Sequence, residues 1–297
     1  MTDERERNNV LAEAGLDQVT GERWNESSRR ESTVNVDGVD VHYIQGGKGP
    51  DLVLVSGLLG SSRGFDFVTS PLGESYRVTA VDLPGYGVSG QYPRNRRYSP
   101  EESAKTVIEV MDKLGIEKAG FVGDSYGCAI GLTVAVNYPD RISSLVLQGP
   151  TRIDPLKAIT KLPEYVAAKM AKDIQGAKAL TYWARRINPE FKNMNSEQLK
   201  NADARMSAVL PKAAIQSTFD LLNFDWREYA SRLGVPTLVI EGADAIVIPF
   251  SSSRIIRNAA APGLVKIKRI KGRHTLLQQR PQEFVEEVKQ FHKRAVS

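Results

Sequence analysis

The chain has 297 residues and a net charge of +5, with 41% hydrophobic and 25% charged residues. This composition is ordinary for a folded protein and argues against global disorder, and the length suffices for one large α/β domain. The single cysteine, Cys128, cannot form an internal disulfide, which favours a reducing compartment, and the sequence has no CxxC or HxxxH pair for a Cys/His metal cluster.

Residues 1–32 carry mixed charge and no apolar core, so we interpret them as an N-terminal extension and not as a secretory signal. No apolar run approaches the ~18 residues of a membrane span, so we expect a cytoplasmic enzyme without a membrane partner. The basic residues of KIKRIKGRH, 266–274, mostly alternate with apolar ones, which indicates a strand with one solvated face. Nucleic-acid binding would need a broader basic face with aromatic residues, so we predict no nucleic-acid partner.

The first predicted element is a hairpin over residues 33–47, with its turn at Asp37-Gly38. The apolar runs DLVLVSG and YRVTAVDLPG are each typical of a buried strand. A helix is predicted over SPEESAKTVIEVMDKLGI, because Ser99 supplies an N-cap, Pro100 a first-turn proline and Glu102 a capping-box acid. Further strands are predicted at KAGFVGDS, ISSLVLQGP, PTLVIEGAD and LVKIKRIKG, and further helices at YGCAIGLTVAVNYP and PQEFVEEVKQFHKR.

Strands that alternate with helices indicate βαβ units. We therefore predict an α/β fold with a mostly parallel central sheet flanked by helices and the hairpin antiparallel at one edge. The alternation stops over residues 151–228, which contain several helix-like segments and no buried-strand pattern. We predict that this stretch is a helical lid inserted over the carboxyl end of the sheet, and that residues 33–150 and 229–297 form the core.

The stretch from Gly123 to Gly127, GDSYG, matches the G-x-S-x-G pattern of a nucleophile elbow. In such an elbow the serine occupies a strained turn between a strand and a helix, where side chains two residues away on either side would collide. The turn lifts the hydroxyl above the sheet and directs backbone N–H groups toward the carbonyl that it attacks. A predicted strand precedes this match and a predicted helix follows it, so we interpret Ser125 as a nucleophile.

Together with two further stretches, this elbow resembles the serine-type α/β-hydrolase family from about residue 33 onward. VDLPGYGVSG, 81–90, is similar to the family's D-x-P-G-x-G-x-S loop. VSGLLGSS, 55–62, resembles its H-G-x-x-G-S-S oxyanion loop, with Ser56 where histidine is usual. The resemblance implies Ser125 as nucleophile, His274 as general base, and the N–H groups of Leu58 and Tyr126 as the oxyanion hole.

His274 is also the best candidate base by its position in the sequence. His42 lies in the predicted edge hairpin, and His292 lies in the last helix among lysines and glutamates. His274 alone follows the end of a late strand, at the sheet edge where open α/β folds place their sites. A neutral imidazole there would take the proton of Ser125 and return it to the leaving group.

The third member of the triad, the acid, has no single candidate. In the loop after the strand TLVIEG the family's carboxylate slot holds Ala245, and Asp244 lies one residue early. We predict Asp244 as the acid, which requires the loop to shift by one residue and the carboxylate to bond the imidazole of His274. Asp154, after the preceding strand, is an alternative. In the third reading no acid engages and activity is severely reduced, whether Ala245 arose by evolution or was introduced deliberately.

The predicted function is that of a serine hydrolase that cleaves a small ester, thioester, lactone or activated C–C bond through an acyl-enzyme, without metal or organic cofactor. Two alternatives stay open. One is an acyltransferase, cyclase or perhydrolase that uses the same triad, and the other is a non-catalytic binding protein with an impaired acid position. Most aromatic residues of the predicted lid should pack its own core. The candidates to line an apolar substrate pocket are Tyr165, Trp183, Phe219 and Trp226. The pattern makes no prediction of the individual substrate or of the oligomeric state.

Overall fold

Eight strands form one sheet in the spatial order β1-β2-β4-β3-β5-β6-β7-β8. The computed structural model describes residues 29–151, 209–245 and 251–296. The strands are β1 (Arg29–Val36), β2 (Val39–Gly46), β3 (Asp51–Val55), β4 (Arg77–Val81), β5 (Ala119–Asp124), β6 (Ile142–Gln148), β7 (Thr237–Gly242) and β8 (Val265–Ile270). Strands β3 to β8 run parallel, and β2 is antiparallel to both of its neighbours. The predicted mostly parallel sheet with an antiparallel edge hairpin is confirmed.

The edge hairpin turns where the sequence predicts. Asp37 and Gly38 both have positive φ, 49° and 81°, as a two-residue turn between twisted antiparallel strands requires. The paired register extends from Val36 opposite Val39 back to Arg29 opposite Gly46. The last four residues of the predicted N-terminal extension, 29–32, therefore belong to the first strand, and residues 1–28 lie outside the described part.

The described helices are α1 (Asp66–Gly73), α2 (Pro100–Lys113), α3 (Tyr126–Asn137), α4 (Pro211–Asn223), α5 (Trp226–Ser231), α6 (Ser251–Ala259), α7 (Leu276–Gln279) and α8 (Pro281–Val296). The predicted start of α2 is confirmed, because Ser99 accepts a hydrogen bond from the N–H of Glu102. The sequence pattern did not predict α1, α6 or α7. Pro71 lies inside α1, and a proline in a short apolar stretch argues against a helix when it is read without tertiary contacts.

The strands divide the interior into two cores, one on each face of the sheet. Successive side chains of a strand point to opposite faces. Along β3, Val53 and Val55 pack in one core with α2, α3 and α6, whereas Leu52 and Leu54 pack in the other with α1 and α8. Helices on both faces bury the central strands completely, which explains why these strands appear in the sequence as continuous apolar runs.

Part of the predicted lid is described. Residues 209–228 form α4 and the start of α5, and the remaining lid residues from 152 to 208 lie outside the described part. The N-terminal end of α4 docks on the loop after β4, where Leu210 N–H donates to the carbonyl of Gly85 at 2.9 Å. Arg97 bonds Asp220 on α4 and attaches the same helix at a second point. None of the described helices is long and apolar enough to cross a membrane.

Candidate active site

Ser125 lies at the bend between β5 and α3, at the carboxyl end of the parallel strands. Its φ of 53° and ψ of −108° are strained values for a residue with a side chain. Such strain, about 1–3 kcal/mol, persists only where the surrounding structure holds it. Its N–H donates to the carbonyl of Gln148 on the neighbouring strand β6 at 2.9 Å, which holds the bend against the sheet. The predicted strand–serine–helix turn is therefore present.

Three glycines allow other backbone segments to pack against this bend. A Cβ at Gly123 would lie 2.2 Å from the carbonyl oxygen of Gly127, and a Cβ at Gly127 would lie 2.1 Å from that of Val55. A Cβ at Gly57, in the loop after β3, would lie 2.8 Å from the Cβ of Ser125. The glycine requirement of the motif is thus steric, and the loop that carries Leu58 packs closely against Ser125.

The loop with the predicted oxyanion residue Leu58 is fastened at its far end by a buried carboxylate. Asp82 accepts hydrogen bonds from the N–H of Ser62 at 2.5 Å and from Nδ1 of His42 at 2.9 Å. Burial would raise the pKa of Asp82, but the bonds from His42 and Ser62 outweigh it and lower the pKa. His42 therefore has a structural contact beneath the oxyanion loop. Tyr126, the other predicted oxyanion residue, is the first residue of α3, where backbone N–H groups have no partner within the helix.

His274 lies in the loop after β8, at the same end of the sheet as Ser125. Burial among protein atoms lowers the pKa of His274 to about 4, because the charged imidazolium loses hydration there. The neutral form of the imidazole therefore predominates at pH 7. A general base needs this form, since only neutral imidazole can accept the proton of a serine.

Gln148, the last residue of β6, connects the loops of Ser125 and His274. Its main-chain carbonyl accepts from Ser125 N–H, and its side-chain Nε2 donates to the main-chain carbonyl of His274 at 2.9 Å. The side chain is fully buried. The predicted nucleophile and base thus come from segments 149 residues apart in the chain (274 − 125 = 149) and are attached to the same residue of the sheet.

Asp244, the predicted acid, follows β7 and contacts the loop that carries His274. Its Oδ2 accepts a hydrogen bond from Gly272 N–H at 3.1 Å, and its own N–H donates to the carbonyl of Gly272 at 2.9 Å. The bond that the structure gives this exposed carboxylate thus goes to the backbone two residues before His274. Ala245 follows on the same loop, and its N–H donates to the carbonyl of Gly242 at 3.2 Å. Asp154, the alternative acid, lies outside the described residues.

Thr151, just after β6, contacts the predicted nucleophile directly. Its Oγ1 lies 3.2 Å from Oγ of Ser125 and 3.0 Å from the carbonyl oxygen of Gly149. A carbonyl oxygen can only accept, so the single hydroxyl hydrogen of Thr151 goes to Gly149 and its lone pair faces Ser125. In this arrangement the hydroxyl of Ser125 donates to Thr151.

The predicted pocket residues are placed differently from one another. Phe219 on α4 is exposed, whereas Trp226 on α5 is buried and packs edge-on against Phe224 with ring centroids 4.9 Å apart. Trp226 therefore contributes to the core at the base of the predicted lid. Tyr165 and Trp183 lie outside the described residues.

Gln148 and Thr151 are not among the site residues that the sequence predicts. A signal for Gln148 was present, because an amide that ends the apolar run SLVL falls at the edge of the sheet where the site was expected. Thr151 had no comparable signal, since its contact depends on how the chain turns after β6. Within the part of the chain that the structure describes, no group of three or more His, Cys, Asp or Glu side chains is arranged to hold a metal ion.

Comparison with known proteins places this geometry in a family context. A family model described as alpha/beta hydrolase fold matches residues 50–278. Over 226 residues the chain is 29% identical to RutD of Caulobacter sp. (strain K31), whose name proposes a carbamate hydrolase; the match covers 74% of this chain and 82% of that protein. The solved structure of the enol-lactonase from Burkholderia xenovorans LB400 superposes with a TM-score of 0.74 at 20% identity, over 87% of this chain and 98% of that one.

One further relative is matched over a shorter region. The chain is 38% identical over 117 residues to the dihydrolipoyllysine-residue acetyltransferase component of the acetoin cleaving system of Cupriavidus necator. This match covers 39% of the present chain, and the chain spans 31% of the length of that protein. The shared region is therefore one part of a larger relative.

Proposed function

The chain belongs to the alpha/beta hydrolase fold family, and from this premise we propose that it is a serine hydrolase acting on a small ester, thioester, lactone or activated C–C bond. Ser125 is the proposed nucleophile and His274 the proposed base. The proposed cycle needs no metal or organic cofactor, and its partner is a small-molecule substrate. We also propose a cytoplasmic setting, which the free, buried thiol of Cys128 supports.

The strained backbone of Ser125 is the observation that carries this proposal. A positive φ on a serine at the carboxyl end of a buried strand has no packing advantage, since the residue could be replaced by glycine without strain. The strained conformation is explained if it exposes the hydroxyl above the sheet and positions it beside the proposed oxyanion N–H groups. The close packing of Gly57 against Ser125 supports the loop of Leu58 as the source of these N–H groups, and Gln148 bonds the main chain of both Ser125 and His274.

In the proposed mechanism Oγ of Ser125 attacks the substrate carbonyl while His274 takes its proton. The negative charge that develops on the carbonyl oxygen would be stabilised by the N–H groups of Leu58 and Tyr126. His274 then gives the proton to the leaving group, and the acyl-enzyme forms. A water molecule attacks the acyl carbon, gives its proton to His274, and the proton returns to Oγ of Ser125 as the acid product leaves.

We propose that Asp244 supports the base as the third member of the site. The contact that favours this role is its bond to Gly272 N–H, which holds the loop of His274. A direct bond from this carboxylate to the imidazole, as the sequence predicts, stays a prediction. The family slot for the acid holds Ala245, and this residue favours a second candidate function, a binding protein that keeps the fold without turnover.

A fluorophosphonate probe tests the proposed function, because an activated serine displaces its fluoride and becomes phosphonylated. We expect the natural chain to be labelled at Ser125 and the Ser125→Ala variant to remain unlabelled. An unlabelled natural chain that still binds ester analogues would support the binding protein instead. Turnover of a p-nitrophenyl ester in ¹⁸O-labelled water should place the heavy oxygen in the acid product. Its absence from the product would indicate transfer to another acceptor, as in an acyltransferase, a cyclase or a perhydrolase.

Proposed roles in the substrate pocket follow from the lid prediction. Phe219, exposed on α4, is proposed to face the substrate together with Tyr165 and Trp183. Trp226 is proposed to support the base of the lid from the core. The carbamate named for the RutD relative and the lactone named for the structural neighbour both react by acyl transfer to a nucleophile. This shared chemistry supports a carbonyl substrate.

A further inference from the structure

We infer that Gln148 is a positioning residue that orients the general base by holding the main chain of His274. This inference rests on the proposed function and assigns a role to a residue that the sequence motifs of the site do not include. Gln148 is fully buried at the carboxyl end of β6. Its Nε2 donates to the main-chain carbonyl of His274, and its own carbonyl accepts from Ser125 N–H.

The path between β6 and His274 shows why a long amide side chain is needed. His274 follows β8, and β7 lies between β6 and β8 in the sheet. The loop after β8 crosses the end of β7 at Gly242, where a Cβ would lie 2.2 Å from the carbonyl oxygen of Arg273. The glycine therefore lets the loop pass close over β7, and the side chain of Gln148 reaches across to the next carbonyl along the loop.

A buried amide without a structural purpose would be unfavourable at this place. Hydrogen bonding offsets the loss of hydration of its donor, but Oε1 of Gln148 has no hydrogen-bond partner among the described residues. A leucine or methionine would fill the same space without that penalty. The amide is therefore explained by the bond that its side chain makes within the described part of the chain, to the carbonyl of His274.

This bond helps to orient the imidazole, which in a catalytic triad is the role of the carboxylate. The loop is held on both sides of the imidazole's attachment point, at Gly272 by Asp244 and at His274 by Gln148. Fixing the main-chain carbonyl limits the rotation of the His274 backbone, and the imidazole then has fewer directions available. A base misplaced by about 1 Å can lose about 10²-fold in rate.

The test compares Gln148→Met with Gln45→Met. Gln45 also makes one side-chain bond in the same sheet, from Nε2 to Thr79 Oγ1 at 2.9 Å, between β2 and β4 and away from His274. We expect Gln148→Met to be labelled by the fluorophosphonate about 10²-fold more slowly per folded molecule, with Gln45→Met unchanged. Gln148→Asn, whose amide is one methylene too short to reach His274, should behave like Gln148→Met and serves if the methionine variant does not fold.

A second readout separates positioning from packing. In Gln148→Met the pKa of the His274 ring, followed by NMR, should rise from about 4 toward its ordinary value of 6.5. The reason is that a released loop lets more water reach the imidazole. Normal labelling with an unchanged titration would overturn the inference. The inference would also be overturned if the variant lost labelling only in proportion to the fraction of its molecules that are unfolded. If the natural chain is itself unlabelled, the proposed function fails, and the titration alone then decides the role of Gln148.

Discussion

The strand β6 meets a histidine at each of its ends. Near its start, Ser144 Oγ hydrogen-bonds Nδ1 of His292 from α8, and at its end Gln148 donates to the carbonyl of His274. Burial lowers the pKa of both imidazoles to about 4. The first pair has a serine hydroxyl directly on a histidine, yet it lies within the core beside Tyr76, with ring centroids 5.6 Å apart.

The serines at the two ends of β6 differ in their backbone conformation and in their burial. Ser144 lies within β6, next to a shift in the register with β5, and it is fully buried, so no substrate can reach it. Ser125, held against the other end, lies on a strained bend that packs against the loop after β3. Partial exposure of Ser125 and the proposed oxyanion site therefore distinguish the candidate site from the structural pair.

Replacing each serine gives the largest contrast between the two ends. We expect Ser125→Ala to abolish fluorophosphonate labelling and to lower ester turnover by about 10³-fold or more. Ser144→Ala should be labelled at the natural rate per folded molecule, while it loses about 1–2 kcal/mol of unfolding free energy with its buried hydrogen bond. Denaturant titration of both variants supplies the control. Loss of labelling in Ser144→Ala at full folding would contradict the assignment of this pair as structural.

His292 makes stability depend on pH. Its pKa is about 4 when folded and 6.5 when unfolded, so the unfolded chain binds the proton first as the pH falls. The unfolding free energy is therefore full above pH 6.5 and declines between pH 6.5 and about 4, by about 3 kcal/mol for this one group.

His292→Asn removes the titrating ring and keeps a polar side chain near Ser144. Urea titrations from pH 7.5 to 4 should give a flatter decline for this variant than for the natural chain. Equal slopes would show that the proton taken up on unfolding binds elsewhere. The labelling rate at pH 7 should be the same in both proteins, since His292 lies at the opposite end of β6 from Ser125.

Substitutions of Asp244 test whether its side chain supports the proposed base, His274, through the hydrogen bond to Gly272 or through its negative charge. An asparagine keeps an oxygen that accepts from Gly272 N–H, whereas an alanine does not. We therefore expect Asp244→Ala to slow labelling about tenfold and Asp244→Asn to change it much less. Equal losses in both variants would instead favour a charged carboxylate acting directly on His274.

Ala245→Asp provides the complementary test, because it places a carboxylate at the family position. If that charge is missing from the present chain, this variant should raise ester turnover by orders of magnitude.

Thr151 should give the smallest effect at the carboxyl end of β6. The resting hydroxyl of Ser125 donates to Thr151 Oγ1, and this bond must break before His274 can take the proton. Thr151→Val removes the competing acceptor, so we expect labelling to accelerate roughly fivefold, the equivalent of one neutral hydrogen bond. Thr151→Ser keeps a hydroxyl and should retain the natural rate. Slower labelling of the valine variant would mean that Thr151 assists the nucleophile.

The sequence predicted the elements whose patterns are local. The hairpin at Asp37-Gly38, the cap at Ser99 and the elbow at Ser125 each depend on neighbouring residues, and all three are present. The helix α1 was missed because its apolar face becomes evident only against α8, which follows it by about 200 residues. The role of His292 was also missed, since its lysine and glutamate neighbours suggest a surface position, whereas its own side chain is buried.

The sequence by itself determined the chain order of the eight strands and of helices α2, α3 and α8, the glycines that permit a bend at Ser125, and a histidine after the last strand. These follow from side-chain period and from steric limits on the backbone, which act between close neighbours. Only the tertiary structure decided that Gln148 holds both loops, that Thr151 faces the nucleophile and that Asp244 bonds Gly272. Those contacts join loops at the carboxyl ends of strands β5 to β8, which meet at one edge of the sheet, and no local pattern specifies which hydrogen bonds form there.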